Sequence, residues 1–420
     1  MTSRDSSPFF PQTRTGMKCG RVPLSALARR YGTPLFVMSA PALRGAAAEL
    51  RNAFGGFNPL LCYAMKANPA LAVVRLFARE GFGAEVVSGG ELFIAMRAGV
   101  SPSKIVFSGV GKTGEEMAAG LRARVHMFNV ESAEELRTLD GVARRLGHRA
   151  PVAIRVNPHV DAHTHRYITT GTNENKFGVD IGRAPAVFAL AKKLRNIELL
   201  GIHTHIGSQV TEPGPFVACA RKVNDLVERL QRSGIRLTTR NMGGGLGISY
   251  VPGQPRMDAA ALARSLTPLL RSGPASLIME TGRYLVGEAG VLLVRVLRVK
   301  HGVRKSFAVT DGAMTELIRP ALYEAHHEIV PVAPRRGRLV KVDVVGPVCE
   351  SADFLGLNRR LPPLREGDLL AVMGAGAYGS AMASNYNSRR RPAQVLVDES
   401  RVRVIRRREV LADLVRGESA

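Results

Sequence analysis

Residues Leu60 to Pro69 read LLCYAMKANP, a short apolar run that stops at Lys66. The run has the length and residues of a buried strand, and Asn68 with Pro69 reads as the cap and first position of a following helix. Lys66 therefore stands where a strand ends, with its amine able to project from rigid scaffold into a cavity. An ammonium in a partly desolvated place sheds its proton more readily than in water, and a neutral amine can form a Schiff base with a carbonyl. On this segment alone a plain surface lysine is the simpler reading. The rest of the chain decides between the two.

Outward from this strand the pattern repeats. Apolar runs at 60–66, 84–87, 105–108, 126–130, 151–157, 198–206, 237–242 and 276–280 are each separated by a stretch of helical periodicity, such as PALAVVRLFARE and SAEELRTLDGVARRL. Eight strands, each returned by a helix over roughly 230 residues, fit a closed (β/α)8 TIM barrel better than an open sheet. No G-x-G-x-x-G follows the first strand, which weakens a dinucleotide-binding alternative. After about residue 290 the runs VLLVRVLRVK, KSFAVTD, HEIVPV, RLVKVDVVGP, DLLAVMG and QVLVDESRVRVIRR are all strand-like, so an all-β unit, a sandwich, is expected there. The strand near Thr33–Ser39 precedes the barrel and is expected to complete that unit. The resulting division is a mobile N-terminus over 1–16, a barrel over 40–290, and a β-sandwich from 17–39 with 291–420.

With 420 residues, 45% of them apolar, the chain has ample material for two cores. No apolar run approaches the roughly 20 residues of a membrane-spanning helix, and the N-terminus lacks the apolar segment of a secretory signal, so a cytoplasmic location and no membrane partner are expected. Cys19, Cys62, Cys219 and Cys349 are scattered without a C-x-x-C pair, which suggests neither a disulfide framework nor a metal site. The 59 basic against 35 acidic side chains give a net charge of +24. Such a balance can mark a nucleic-acid partner, but the basic runs Arg389–Arg391 and Arg406–Arg408 lie among strand-like residues and no nucleic-acid-binding motif accompanies them. The charge is read as solvated surface, with no nucleic-acid partner.

A barrel builds its site at the carboxyl ends of its strands. There the first strand presents Lys66, the second Ser88 to Glu91, and the sixth His203, His205, Gly207, Ser208 and Gln209. The seventh presents Gly243, Gly244 and Gly245, and the eighth Glu280 with Arg283. A glycine triplet leaves bare backbone amides, which can cradle a phosphate. A phosphate pocket and a Schiff-base lysine in one cavity suggest pyridoxal phosphate. Glu280 beside a pyridine nitrogen would favour its protonated form and make the ring an electron sink, and His205 could stack on the ring face.

The motifs YAMKAN (63–68), VVSGGEL (86–92), NKFG (175–178), HTHIGSQ (203–209), MGGGLG (242–247), ETGR (280–283), IRPALYEAHHEI (318–329), GPVCESADFL (346–355) and GAGAYGSAMASNYN (374–387) together resemble the diaminopimelate decarboxylase family. These are pyridoxal-phosphate enzymes with an alanine-racemase-like barrel and a C-terminal β-sandwich. The resemblance implies that Lys66 carries the cofactor. It implies that Ser208, Gly243 to Gly245, Glu280, Thr281, Gly282, Arg283 and Tyr378 hold it, and that Arg283, Arg319, Tyr323, Glu350 and Tyr378 bind substrate. Cys349 resembles the family's proton donor, and a two-fold homodimer in which Cys349 and Glu350 complete the partner's site is expected. The implied reaction converts meso-2,6-diaminopimelate to L-lysine and carbon dioxide, the last step of lysine biosynthesis. The nearest alternative is a decarboxylase of a related amino acid or polyamine precursor with the same fold. Arg319 opposes a substrate with a bare distal amine, Glu280 opposes a racemase, and intact Lys66 and Cys349 oppose a non-catalytic regulator.

Overall fold

The computed structural model describes residues 7–161, 176–303, 305–335 and 337–419. Two units emerge. One comprises Ala46–Ile248 and Arg256–Tyr284; the other comprises the chain up to Gly45, Ser249–Pro255 and Leu285–Ala420.

The first unit is a closed parallel barrel. Its strands are Leu60–Ala64, Gly83–Val86, Ile105–Phe107, Met127–Val130, Ala150–Asn157, Ile197–His203, Thr239–Asn241 and Ser276–Thr281. Each pairs with its successor, and the eighth returns to the first through Thr281 opposite Tyr63. Closure leaves no open edge. Cys62, Val106, Met127, Ala153 and Ile278 pack together as one buried cluster drawn from five strands. The returning helices start where the sequence supplies caps: Ser88 accepts from Glu91 N, Ser132 from Glu135 N, and Thr113 forms a capping box with Glu116. These caps set the strand-end loops, and the loops carry the candidate chemistry.

The start of the first returning helix differs from expectation. That helix spans Leu71–Arg79. Lys66 lies in a single 3-10 turn, Met65–Ala67, and Asn68 closes it by donating its backbone N–H to Met65 O. The Asn68 side chain then accepts from Ala70 N in an Asx turn, and Tyr63 Oη donates to Asn68 O. Local side-chain hydrogen bonding at Asn68 has thus displaced helix capping by two residues.

The second unit is built on one mixed sheet. Its strands run in the order Phe354–Leu361, Val340–Val345, Ser306–Thr310, Gly290–His301, Leu35–Ser39, Ala393–Asp398, Arg401–Arg406, with Leu369–Val372 and Ile329–Pro331 branching from the long Gly290–His301 strand. The N-terminal strand is therefore central, antiparallel to Gly290–His301 and parallel to Ala393–Asp398. Both faces are buried, with period two. Leu35, Val37, Val291, Leu293, Val395 and Val397 face one core, whereas Phe36, Leu292, Val294 and Val296 face the other.

The N-terminus needs a correction. Residues 1–6 of the stretch expected to be mobile lie outside the described residues, but from Ser7 the chain is ordered. Phe10 is fully buried in the first of these cores, and Gln12–Thr13 pairs with Gly16–Cys19. Two phenylalanines in a polar stretch were the signal for that docking. The basic runs also acquire specific partners: Arg391 pairs with Glu409, Arg407 with Asp413, and Arg408 donates to the carbonyls of Tyr31 and Pro34.

Candidate active site

At the barrel's strand ends, Lys66 Nζ lies 2.9 and 3.2 Å from the two carboxylate oxygens of Glu85, which is buried in the second strand. Glu91, in the first turn of the helix Gly89–Ala98 that follows that strand, accepts from Val87 N at 2.8 Å. Burial, then the neighbouring Glu85 charge, pushes its carboxyl up to about 7. Glu91 was named at the second strand's end without a role, and Glu85 was not singled out from sequence. A lone glutamate inside the apolar run AEVV was the available signal.

Glu280, at the end of the eighth strand, is buried. Its Oε1 accepts from Asn241 Nδ2 at 2.6 Å and Asn129 Nδ2 at 2.8 Å, while Oε2 lies 3.3 Å from His203 Nε2. Burial alone would raise its pKa, but the adjacent His203, the Lys66 charge and the Asn241 hydrogen bond reverse that and hold the carboxyl well below the usual range. Glu280 is a carboxylate with a fixed orientation. A further layer supports it: the buried Lys112 Nζ donates to the carbonyls of Gly109 and Asn129 and pairs with Glu135 at 2.6 Å. Asn129 and Asn241 escaped notice in the sequence because each sits in a strand where a polar residue looks like packing, and Lys112 because a lysine just before a helix cap looks like surface.

His205 is held by burial, together with the nearby Arg155, Lys66 and His203 charges, well below its ordinary range and is neutral. Its Nδ1 accepts the Gly244 N–H at 3.2 Å, so the ring proton is on Nε2. That bond corrects the expectation of three bare amides. Gly243 N–H also has an acceptor, Asn241 Oδ1 at 2.9 Å. Only Gly245, of the three, has an amide with no protein acceptor among the described residues. The triplet's main requirement is close approach: a Cβ on Gly244 would stand 1.9 Å from Glu280 O, and one on Gly245 would stand 2.3 Å from Gly207 O. Gly282 likewise packs its Cα against the Lys66 turn, where a Cβ would meet Ala64 O and Ala67 Cβ at 3.1 Å. Arg283, 6% exposed, donates to Ser208 Oγ at 3.0 Å.

The other residues singled out lie in the β unit. Arg319 and Tyr323 bracket a one-turn helix, spaced to share a face. Cys349 and Glu350 are exposed on a loop that is pinned by Asp353, whose oxygens accept from Met314 N and Val348 N, and by Asn387, which accepts from Cys349 N. Tyr378 has a left-handed backbone, φ 56°. Asn175 of the NKFG motif lies outside the described residues. Among the described residues no cluster of His, Cys, Asp or Glu is placed to hold a metal ion, and no helix is long and apolar enough to cross a membrane.

The barrel residues fit pyridoxal phosphate. Lys66 offers an amine, Glu280 a fixed negative charge, and His205 a neutral ring. Gly245 offers an amide, and Thr281, packed beside Gly244, has a buried hydroxyl with no partner among the described residues. These last two suit an anionic group.

Comparison with known proteins agrees. Residues 42–287 match the family model for the pyridoxal-binding domain of pyridoxal-dependent decarboxylases. The barrel is that of a pyridoxal-phosphate-dependent carboxy-lyase. Diaminopimelate decarboxylases from Pseudomonas aeruginosa and Vibrio cholerae are each 47% identical, over 95% of this chain and 95% of the relative in the first case and 94% of both in the second. The crystal structure of diaminopimelate decarboxylase from M. jannaschii superposes with a TM-score of 0.94 at 37% identity, covering 99% of this chain and 98% of that one. The Helicobacter pylori enzyme complexed with L-lysine gives a TM-score of 0.90 at 39% identity, covering 94% and 98%. The chain belongs to the diaminopimelate decarboxylase family.

Proposed function

We propose that this chain removes one carboxylate of meso-2,6-diaminopimelate, releasing carbon dioxide and L-lysine, as the closing step of lysine biosynthesis in the cytoplasm. The observation that carries the reading is the buried Glu280 carboxylate, oriented by Asn129, Asn241 and His203 at the end of the eighth strand. When bound, pyridoxal phosphate supplies an electron sink for the pair left by the broken carbon–carbon bond. Glu280, held as a carboxylate, would favour the protonated form of that group's pyridine nitrogen. Glu85 accepts from Lys66 Nζ at 2.9 Å and so holds the amine in place at the strand end, where its neutral form would be the nucleophile. His205 offers a flat neutral face. Ser208, Gly245, Thr281, Gly282, Arg283 and Tyr378 are proposed as cofactor ligands, the first three through N–H or O–H groups.

The substrate's unreacted head carries a carboxylate. Arginines bind carboxylates by paired, charge-assisted hydrogen bonds, and Arg319, Arg283 and Tyr323 are proposed for that head, with Glu350 and Tyr378 beside them. Remote binding energy of this kind helps to align the departing carboxylate. The Cys349 thiol is proposed to return a proton to the α-carbon. Its exposure and that of Glu350 in a single chain support a homodimer in which a second copy receives them.

Carbon dioxide release measured in parallel with meso-diaminopimelate, L-ornithine and L-arginine tests the reading. Turnover confined to diaminopimelate is expected. Turnover of ornithine or arginine in its place would overturn the substrate assignment.

A further inference from the structure

Arg319 is 4% exposed, and its surroundings in the β unit are unusually specific for a surface-type side chain. Its Nη1 lies 2.7 Å from His327 Nε2, and the other ring nitrogen of His327, Nδ1, lies 2.8 Å from Met373 O. A carbonyl can only accept, so Nδ1 carries the proton. A guanidinium can only donate, so Nε2 presents its lone pair to Arg319. The two contacts together define one neutral tautomer. On another side the Arg319 guanidinium carbon lies 4.5 Å from the centroid of the Tyr250 ring, which meets the His327 ring edge-on at 5.2 Å.

We propose that His327 is a positioning residue that sets substrate specificity by orienting Arg319 toward the distal carboxylate of the substrate. The choice of side chain fits this task. A glutamate or aspartate in place of His327 would hold the guanidinium equally well but would cancel its charge. A neutral acceptor fixes the direction of the fork and leaves the charge for a carboxylate ligand. Tyr250 does the same through its ring face, favouring a cation without neutralising it. Fully buried, with both ring nitrogens engaged, His327 cannot rotate without giving up two hydrogen bonds at once. The proposal rests on the reading of Arg319 as the ligand of the distal carboxylate.

The test compares His327→Asn, which can still donate to Met373 O but cannot reach Arg319, with His327→Gln, whose amide oxygen can accept from Arg319. Three ligands are used on the cofactor-loaded enzyme. Diaminopimelate and the inhibitor L-lysine keep the distal carboxylate, whereas cadaverine, used as an inhibitor, lacks it. Asn is expected to raise KM for diaminopimelate and Ki for L-lysine about tenfold. Ki for cadaverine should stay within about twofold, the cofactor absorbance should be retained, and Gln should recover most of the loss. If His327→Asn does not fold, His327→Leu, which also lacks the acceptor, makes the same comparison. Unchanged KM and Ki in the variants without the acceptor would overturn the proposal. So would equal weakening of cadaverine, or failure of Gln to restore binding, since either indicates general packing. Arg319→Gln separates the two claims. If it leaves diaminopimelate binding intact, the reading of Arg319 fails. If it weakens binding while His327→Asn does not, only the role of His327 fails.

Discussion

Asn241 Nδ2 donates to Glu280 at 2.6 Å, and its Oδ1 accepts from Gly243 N. One side chain thus ties the charge at the eighth strand to the glycine loop after the seventh. Replacing it by alanine leaves a buried carboxylate short of a donor, a change that costs about 2 kcal/mol. Asn241→Ala is expected to lower stability by that amount in denaturant melts and to weaken pyridoxal phosphate binding in an absorbance titration. Glu91 has the opposite character. In the folded chain it keeps its proton up to about pH 7, whereas an unfolded glutamate loses it near about 4.3. The folded state therefore binds more protons between these values, and this group's contribution to stability falls as pH rises through the window. Glu91→Gln keeps the acceptor for Val87 N but removes the titration. Its melting temperature relative to the parent should rise from pH 5 to pH 8, which calorimetry at the two values would check. A flat difference would contradict the buried environment. At this scale Lys66 and Glu280 were legible because each stands where an apolar run ends and the two fall at the same end of one barrel, although either alone has a plain surface reading. Asn129 and Asn241 were not, because an amide next to a strand end reads equally well as a turn.

At the scale of elements, the eight strands were visible because parallel strands buried on both faces form continuous apolar runs, and their helices because the stretches between them carry helical periodicity. The glycine triplet was visible as a loop, but its amides were not all bare as expected. Its amides mostly serve His205 and Asn241, and its lack of side chains lets two strand ends meet. Gly244→Ala places a methyl group 1.9 Å from Glu280 O, against backbone that cannot yield. Loss of soluble protein or of cofactor binding is expected. Gly141 makes the contrast: it lies inside the Ala133–Leu146 helix, where a Cβ would meet only Arg145 Nη1 at 3.9 Å. Gly141→Ala should stabilise the protein by about 0.5–1 kcal/mol in the same melts.

For the whole molecule, a strand from the N-terminus occupies the middle of a sheet otherwise made from the last third of the chain. Pairing partners more than 250 residues apart in sequence leave no local pattern, so only the strand itself could be read, not its neighbours. The dimer proposed to bring Lys66 and Cys349 of different copies together can be tested by complementation. Lys66→Ala and Cys349→Ala should each be inactive, and an equal mixture after subunit exchange should recover about a quarter of wild-type activity, because half the dimers are mixed and each mixed dimer has one intact site of two. No recovery would place both residues in the same copy's site. Beneath all of this lies the claim that Lys66 is the amine that holds the cofactor. Borohydride reduction of the pyridoxal-phosphate-loaded protein, followed by peptide mass mapping, tests it most directly. The expected result is a single pyridoxyl adduct on Lys66, absent from Lys66→Ala; an adduct on another lysine, or none, would contradict the account.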